Sequence, residues 1–323
     1  MDSEPIVILS GGTGTPKLLT GWRNQGLIRS IDSEPVCIIG NTGDDWDFYG
    51  IHVSPDIDVI IYQLADILDT RKMYGVKGET HHVINTLKSQ YKEDIWFNIG
   101  DKDLTTCIYR SNLLKQGYTL TEATDIIRLR LNIRLKIFPM TNEPVRTYFH
   151  TDKGILHIQE FYIREKASPI IKSIEYRGRK NARVTEELKQ VIEQASLILI
   201  GPSNPVSSIK PILFPEMKKI IQRSNTEVLV ISPIIGNRAF SGPAEKYLHS
   251  IGIESTPEGI IRFYEDIATS FMFHTTDEKN LKKLKSYSDK KFYFKDIIFD
   301  KEEKTVEMVK WINKFAASLF DEK

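Results

Sequence analysis

Four short runs of uninterrupted apolar residues constrain this chain more than any other feature. They are Ile6-Val7-Ile8-Leu9, Val36-Cys37-Ile38-Ile39, Leu197-Ile198-Leu199-Ile200 and Val228-Leu229-Val230-Ile231. A strand with one face in water alternates apolar and polar residues, whereas a run without alternation marks a strand covered on both faces, as in a parallel sheet. Each run ends in a polar loop: Gly11–Lys17, Gly40–Asp45, Gly201–Asn204 and Ser232–Asn237. In an open α/β sheet, ligands bind beyond the carboxyl ends of the strands, so four such loops side by side predict a composite pocket.

Helical patterns separate the runs. One covers Leu18 to Gln25 with Gly26 as its stop, and Ser54-Pro55-Asp56 opens another with N-cap serine, first-turn proline and an early acid. Two more lie near 104–116 and 121–131, the second with a capping box between Thr119 and Glu122. Residues 134–184 differ. Short β-like runs at Leu135–Phe138, Val145–Phe149, Ile158–Ile163 and 170–176 crowd together with turns between them, which predicts an antiparallel insertion. The expected fold class is therefore α/β: a Rossmann-like, mostly parallel sheet flanked by helices, with a smaller β-rich insertion in the middle. The divisions are 1–133 and 185–276 for the two parts of the core, 134–184 for the insertion, and 277–323 for a charged segment and a final amphipathic helix from about 305 to 320.

Composition narrows the partners. With 44 Lys+Arg against 43 Asp+Glu in 323 residues, the net charge is +1. A dedicated nucleic-acid binder draws its affinity from a basic surplus that this chain lacks. Cys37 and Cys107 are too few for a disulfide framework or a zinc site and suit a reducing cytoplasm. No apolar stretch approaches the roughly 20 residues that span a bilayer, and Met1-Asp2-Ser3-Glu4-Pro5 leads straight into a strand rather than a signal peptide.

The loops carry the chemistry. Ser10-Gly11-Gly12-Thr13-Gly14-Thr15-Pro16-Lys17 joins strand to helix with glycines that let backbone N–H groups approach an anion. It is not a Walker A loop, because Leu18 stands where Ser or Thr would bind magnesium. It is not a full dinucleotide fingerprint either, because Lys17 replaces the third glycine. Asp44 and Asp45 end the second loop, and Asp56 and Asp58 open the helix after it. Taken singly these are turn residues and helix-dipole partners, but together beside a phosphate loop they are the hard oxygen donors magnesium prefers. Asn98-Ile99-Gly100-Asp101-Lys102-Asp103 reads as a further strand-end loop, with Asp101 or Asp103 as a helix cap. Ser203 and Asn204, held between prolines, form a stiff polar corner, and Ser232, Asn237 and Ser241-Gly242-Pro243 form a similar one on the next strand.

In this order and spacing the set resembles the 2-phospho-L-lactate transferase family of coenzyme F-420 biosynthesis. It comprises Ser10–Leu19, Asn41–Asp45, Ser54–Asp58, Gly100–Asp103, Arg110–Leu113, Gly201–Pro205, Ser232–Asn237 and Ser241–Ala244. The resemblance implies a cytoplasmic, magnesium-dependent transferase, a homodimer with small-molecule substrates and no nucleic-acid or membrane partner. It would join the deazaflavin Fo to an acid activated as a guanosine diphosphate, such as lactyl-2-diphospho-5′-guanosine, and release GMP. By carry-over, Asp45 and Asp58 act as catalytic and metal residues, and Asp58 and Asn98 contact Fo. Gly11, Gly12, Thr13, Gly14, Thr15 and Lys17 hold the diphosphate, while Ser203, Asn204, Ser232 and Asn237 serve the nucleotide. The alternative is a non-catalytic nucleotide-sugar or phosphate-binding regulator on the same sheet, which has no need for Asp45 and Asp58 together. A nicotinamide-linked dehydrogenase is disfavoured by the incomplete fingerprint.

Overall fold

The computed structural model describes residues 4–24, 36–239, 243–280, 287 and 289–321. Gly26, read as the stop of the first helix, and Ser241-Gly242 lie outside the described residues. The four apolar runs form the centre of a seven-stranded sheet. In chain order its strands are β1 (Ile6–Ser10), β2 (Val36–Gly40), β5 (Lys136–Pro139), β9 (Leu197–Ile200), β10 (Glu227–Ile231), β13 (Ser270–His274) and β14 (Lys291–Lys295). Their spatial order is β14-β13-β10-β9-β1-β2-β5, and every neighbouring pair is parallel.

Alternate residues of β1 enter different cores, as the lack of polar alternation requires. Val7 and Leu9 pack on one face with Phe138, Ile198, Ile200 and Phe214, while Ile6 and Ile8 pack on the other with Trp22, Ile60, Leu229 and Ile312. The chain runs from β1 outward through β2 to β5, then returns to lay β9 on the other side of β1. This reversal makes the β1/β9 boundary the topological switch point, where such sheets open a crevice.

Helices α1 (Gly14–Asn24), α2 (Pro55–Leu64), α5 (Leu120–Arg130) and the last helix, α10 (Glu302–Asp321), supply residues to the second core. The expected capping box at Thr119 and Glu122 is present. A hairpin, β3 (Trp46–Phe48) and β4 (Ile51–Val53), stands between β2 and α2. Helices α3 (His82–Ser89) and α4 (Asp101–Lys115) follow. An antiparallel sheet does form in the expected insertion, from the three strands β6 (Arg146–Thr151), β7 (Gly154–His157) and β8 (Ile171–Arg177) in the order β7-β6-β8.

Three local expectations change. Leu135–Phe138, counted with the antiparallel insertion, forms β5 and pairs parallel with β2 at the edge of the main sheet, where Ile137 and Phe138 are buried in the two cores. Ile158–Ile163, read as a strand, lies largely in a π-helical turn at Glu160–Arg164. Ile158 and Phe161 are buried while Tyr162 and Ile163 are exposed, a spacing that fits a turn over a core edge rather than a period of two. Ile95–Phe97, implied as the strand ahead of the Asn98–Asp103 loop, joins no sheet. No described helix is long and apolar enough to cross a membrane.

The last helix locks against the first. Trp22 Nε1 donates to Asn313 Oδ1 at 3.2 Å, and a Cβ on Gly21 would overlap the Thr305 carbonyl and Val309 Cγ2. Gly21→Val therefore lowers the unfolding free energy by about 1–3 kcal/mol through overpacking, as read from urea melts. An unchanged midpoint would show that α10 does not seat on α1 in this way.

Candidate active site

The loops after β1 and β9 are clasped across the switch point. Ser203 Oγ donates to the Gly11 carbonyl at 2.5 Å, accepts the Gly11 N–H at 3.3 Å and lies 2.6 Å from Thr15 Oγ1. A side chain at Gly14 would overlap the Pro202 carbonyl, and one at Gly201 would overlap Thr15. These two glycines thus serve loop-to-loop packing. Gly12 has φ +58° and turns the chain so that α1 begins at Gly14. Thr15 and Lys17 fall in the first turn of that helix, whose unpaired N–H groups suit an anion. Thr13 and Gly14 are half-buried and Lys17 is exposed. Ser203 is buried with its hydroxyl spent between the loops. Asn204 Oδ1 accepts from the Val206 and Ser207 N–H groups, capping a π-helical turn at Pro205–Ile209.

Beneath the β1 loop lies a cluster of carboxylates. Asn41 Nδ2 donates to Asp44 Oδ1 at 3.1 Å, to Asp56 Oδ2 at 2.8 Å and to the Ser207 carbonyl at 3.3 Å, joining the ends of β2, α2 and the π-turn. Asp45 accepts the Ser54 hydroxyl on Oδ1 at 2.7 Å and lies 2.8 Å from His52 Nε2 through Oδ2. Ser54, expected to cap α2, makes no cap bond because its hydroxyl serves Asp45. Asp58 is gripped by both terminal nitrogens of Arg110, which is fully buried. Asp103 accepts the Tyr62 hydroxyl at 2.9 Å, and oxygens of Asp58 and Asp103 lie within 4.8 Å of one another and of Cys107 Sγ.

Low dielectric and mutual repulsion set the protonation of this cluster. Burial pushes Asp44 well above the usual carboxylate range, with the charge of Asp56 adding to it and Asn41 opposing. Burial raises Asp56 to about 6 against the hydrogen bonds of Asn41 and Gly12. Burial also raises Asp58, although Arg110 opposes it. Asp103 rises to about 7 through burial and the neighbouring charge of Asp58. Carboxyls pushed upward in this way mark a site with more negative charge than its cations balance. Their oxygens are hard donors that fit a divalent cation such as magnesium, whereas the buried Cys107 thiol, pushed well up by burial, does not. Asp58 keeps lone pairs beyond those Arg110 engages, since an ionised carboxylate has about four acceptor positions.

The remaining sequence candidates lie around this centre. Asn98 is exposed ahead of α4. Ser232 is buried and closes the turn after β10, donating to the Ile234 carbonyl at 2.8 Å and accepting the Ile234 N–H at 3.1 Å. Asn237 is exposed in the connection between the short strands β11 (Ile234–Ile235) and β12 (Arg238–Ala239). Both belong to the end of β10, one strand beyond β9. Asp101, weighed as a cap for its own helix, instead accepts from His82 N, Val83 N and Thr80 Oγ1 and so caps α3. Arg110 entered the sequence reading only as the start of the Arg110–Leu113 motif, with no role given, and its grip on Asp58 emerges from the fold. His52 and Arg146 carry no signal without the fold.

Comparison with known proteins follows the same residues. Residues 6–314 match the family model of 2-phospho-L-lactate transferase CofD. The 2-phospho-L-lactate transferase of Methanosarcina mazei is 35% identical over 84% of this chain and 88% of its own length. That of Methanocaldococcus jannaschii is 34% identical over 86% and 89%. A crystal structure of a upf0052 family protein from Bacillus halodurans superposes with a TM-score of 0.62 at 15% identity, covering 97% of this chain and 99% of that one, which bears on the fold alone.

The raised carboxyls give stability a definite pH dependence. An aspartate whose folded pKa lies above its unfolded value stabilises the fold while protonated in both states, and that contribution is lost as pH rises through the folded value. For Asp103 the loss runs from about pH 4, the unfolded value, to about 7. In chelator-treated protein, Asp103→Asn therefore gains stability relative to the wild type as pH is raised across this window. A gap between the two urea-melt curves that does not change with pH would contradict the assignment.

Proposed function

The chain belongs to the 2-phospho-L-lactate transferase CofD family, and we propose that it transfers a phosphoacid from a guanosine-diphosphate-activated donor to the deazaflavin Fo. In this reading a ribityl hydroxyl of Fo attacks the phosphorus next to the acid. The new P–O bond forms as the bond to the second phosphate breaks, GMP leaves, and the hydroxyl proton passes to solvent. The donor carries 2-phospholactate, or phosphoenolpyruvate in the variant that gives the dehydro product. The observation that carries the proposal is the facing of an N–H-rich loop and a surplus-carboxylate cluster at one switch-point crevice.

Phosphoryl transfer asks a protein mainly for positioning and charge neutralisation. We assign the diphosphate to the backbone N–H groups of Thr13, Gly14 and Thr15 and to Lys17, at the N-terminus of α1; Gly11 and Gly12, expected to share in this, give their N–H groups to Ser203 and Asp56 and shape the loop instead. Asp45 and Asp58 are the residues assigned to magnesium, which when bound would offset charge on the phosphoryl oxygens. Ser54 and His52 fix the orientation of Asp45, and Arg110 fixes that of Asp58. Asp58 and Asn98 are assigned to the Fo side. The guanosine end falls to Asn204, whose side-chain N–H2 has no partner among the described residues, with Ser203 holding the loop, and to Ser232 and Asn237 beyond it. By family, the protein is expected to act as a homodimer.

Supplying Fo, a guanosine-diphosphate-activated acid and magnesium should yield an Fo-phosphoacid product and GMP by mass spectrometry. Asp58→Asn would strand the buried charge of Arg110, so Asp45→Asn is the cleaner variant. It is expected to lose turnover by on the order of 10² or more while melting within a few degrees of the wild type. Chelation removes turnover and added magnesium restores it. No Fo-linked product with lactyl, enolpyruvyl or glyceryl donors would reject the function, and full activity of Asp45→Asn would reject its assigned role.

A further inference from the structure

Resting on the transferase reading, the acid being moved brings a carboxylate as well as a phosphoryl group. That carboxylate must be held beside Asp44, Asp45, Asp56 and Asp58, where an unpaired anion is repelled. In that reading the loop and helix N-terminus after β1 would be taken up by the diphosphate. A cation is needed near Asp45 that has donors to spare.

The cations around the acid cluster differ in this respect. Arg110 is fully buried and its terminal nitrogens are bound to Asp58. His52 is bound to Asp45. Arg146 comes from the first position of β6, so the β-rich insertion delivers it to the core. Its Nη1 donates to the Val145 carbonyl at 2.8 Å and to the Thr42 carbonyl at 3.5 Å, which anchors the guanidinium over the β2 loop. The same nitrogen stands 4.0 Å from Asp45 Oδ2, too far for a hydrogen bond, and Asp45 already has Ser54 and His52 as partners. Nε and Nη2 have no protein partner among the described residues, and 22% of the side chain is exposed. One nitrogen is fixed to backbone while Nε and Nη2, an adjacent pair of donors, remain available. That is the arrangement in which arginine takes a planar carboxylate by two parallel hydrogen bonds.

We propose that Arg146 reads the carboxylate of the transferred acid, holding it at the edge of the crevice next to the phosphorus that Fo attacks. The β-rich insertion thereby contributes a specificity residue to a site otherwise built by the parallel sheet. The role is one of positioning and recognition, since the guanidinium bonds the acid rather than the reacting atoms.

The test compares two donors on the full-length protein: the lactyl donor with a free carboxylate and the same donor with that group converted to a neutral amide. Wild type is expected to favour the carboxylate, and Arg146→Met to lower kcat/KM for the carboxylate donor by on the order of tenfold or more. The amide donor and the KM for Fo should change by less than about twofold. Arg146→Lys, which keeps charge but loses the fork, should fall between the two. Equal losses on both donors, or a carboxylate preference that survives in Arg146→Met, overturn the assignment of Arg146 while leaving the transferase reading intact. Absence of wild-type turnover with Fo and the carboxylate donor overturns the transferase reading, and the carboxylate role with it. A circular-dichroism melt of each variant separates lost recognition from lost folding.

Discussion

An excess of carboxylate over cation in a low-dielectric crevice is the constraint on which the rest of this structure turns. Asp44, Asp56, Asp58 and Asp103 are all pushed upward, chiefly by burial, and two of them reach about 6 and about 7. A protein that packed these groups for stability alone would do better with apolar residues of similar volume. Their cost is tolerable because Asn41 binds two of them at once and Arg110 embraces a third. What remains is a stored demand for positive charge placed under a loop that itself demands negative charge. In the proposed reading, a divalent cation and a diphosphate would satisfy both demands together.

The parallel sheet explains why these groups meet. Strand ends on one edge of the sheet bring together loops that are far apart in sequence: Gly11 and Ser203 are bonded across 192 positions. The return of the chain from β5 to β9 puts the β1/β9 boundary at the topological switch point, where Ser203 clasps the two loops together. The hairpin β3–β4 and the insertion then bring His52, Ser54 and Arg146 to Asp45 from the outer side. The core supplies the loop assigned to the diphosphate, and the additions hold the carboxylates.

Much of this was legible in the residues, and the exceptions have physical reasons. The central strands announced themselves because burial on both faces forbids polar positions. Edge strand β14, Lys-Phe-Tyr-Phe-Lys, was hidden in a run of charges because an edge strand needs lysines against unwanted pairing. Asp45 was legible as part of an acidic loop, but its partners were not: Ser54 looks like a helix cap until the fold offers it a carboxylate. Ser203 was legible as a polar corner, yet sequence cannot tell a hydroxyl that faces a ligand from one that ties two loops together. Arg146 sits in an alternating strand like any surface arginine, and only the packing of the insertion brings it to Asp45. Local pattern fixes elements, and tertiary proximity fixes roles.

The most direct test of the central claim is a calorimetric titration of magnesium into the protein near pH 6, in buffers of different ionisation enthalpy, so that protons released on binding are counted. Burial raises the carboxyls of this cluster, and a bound cation favours their ionised form, so binding would displace protons from them. The account predicts binding with net proton release, weakened in Asp45→Asn. Binding without proton release, or no binding in the presence of a guanosine-diphosphate-activated acid, would contradict it.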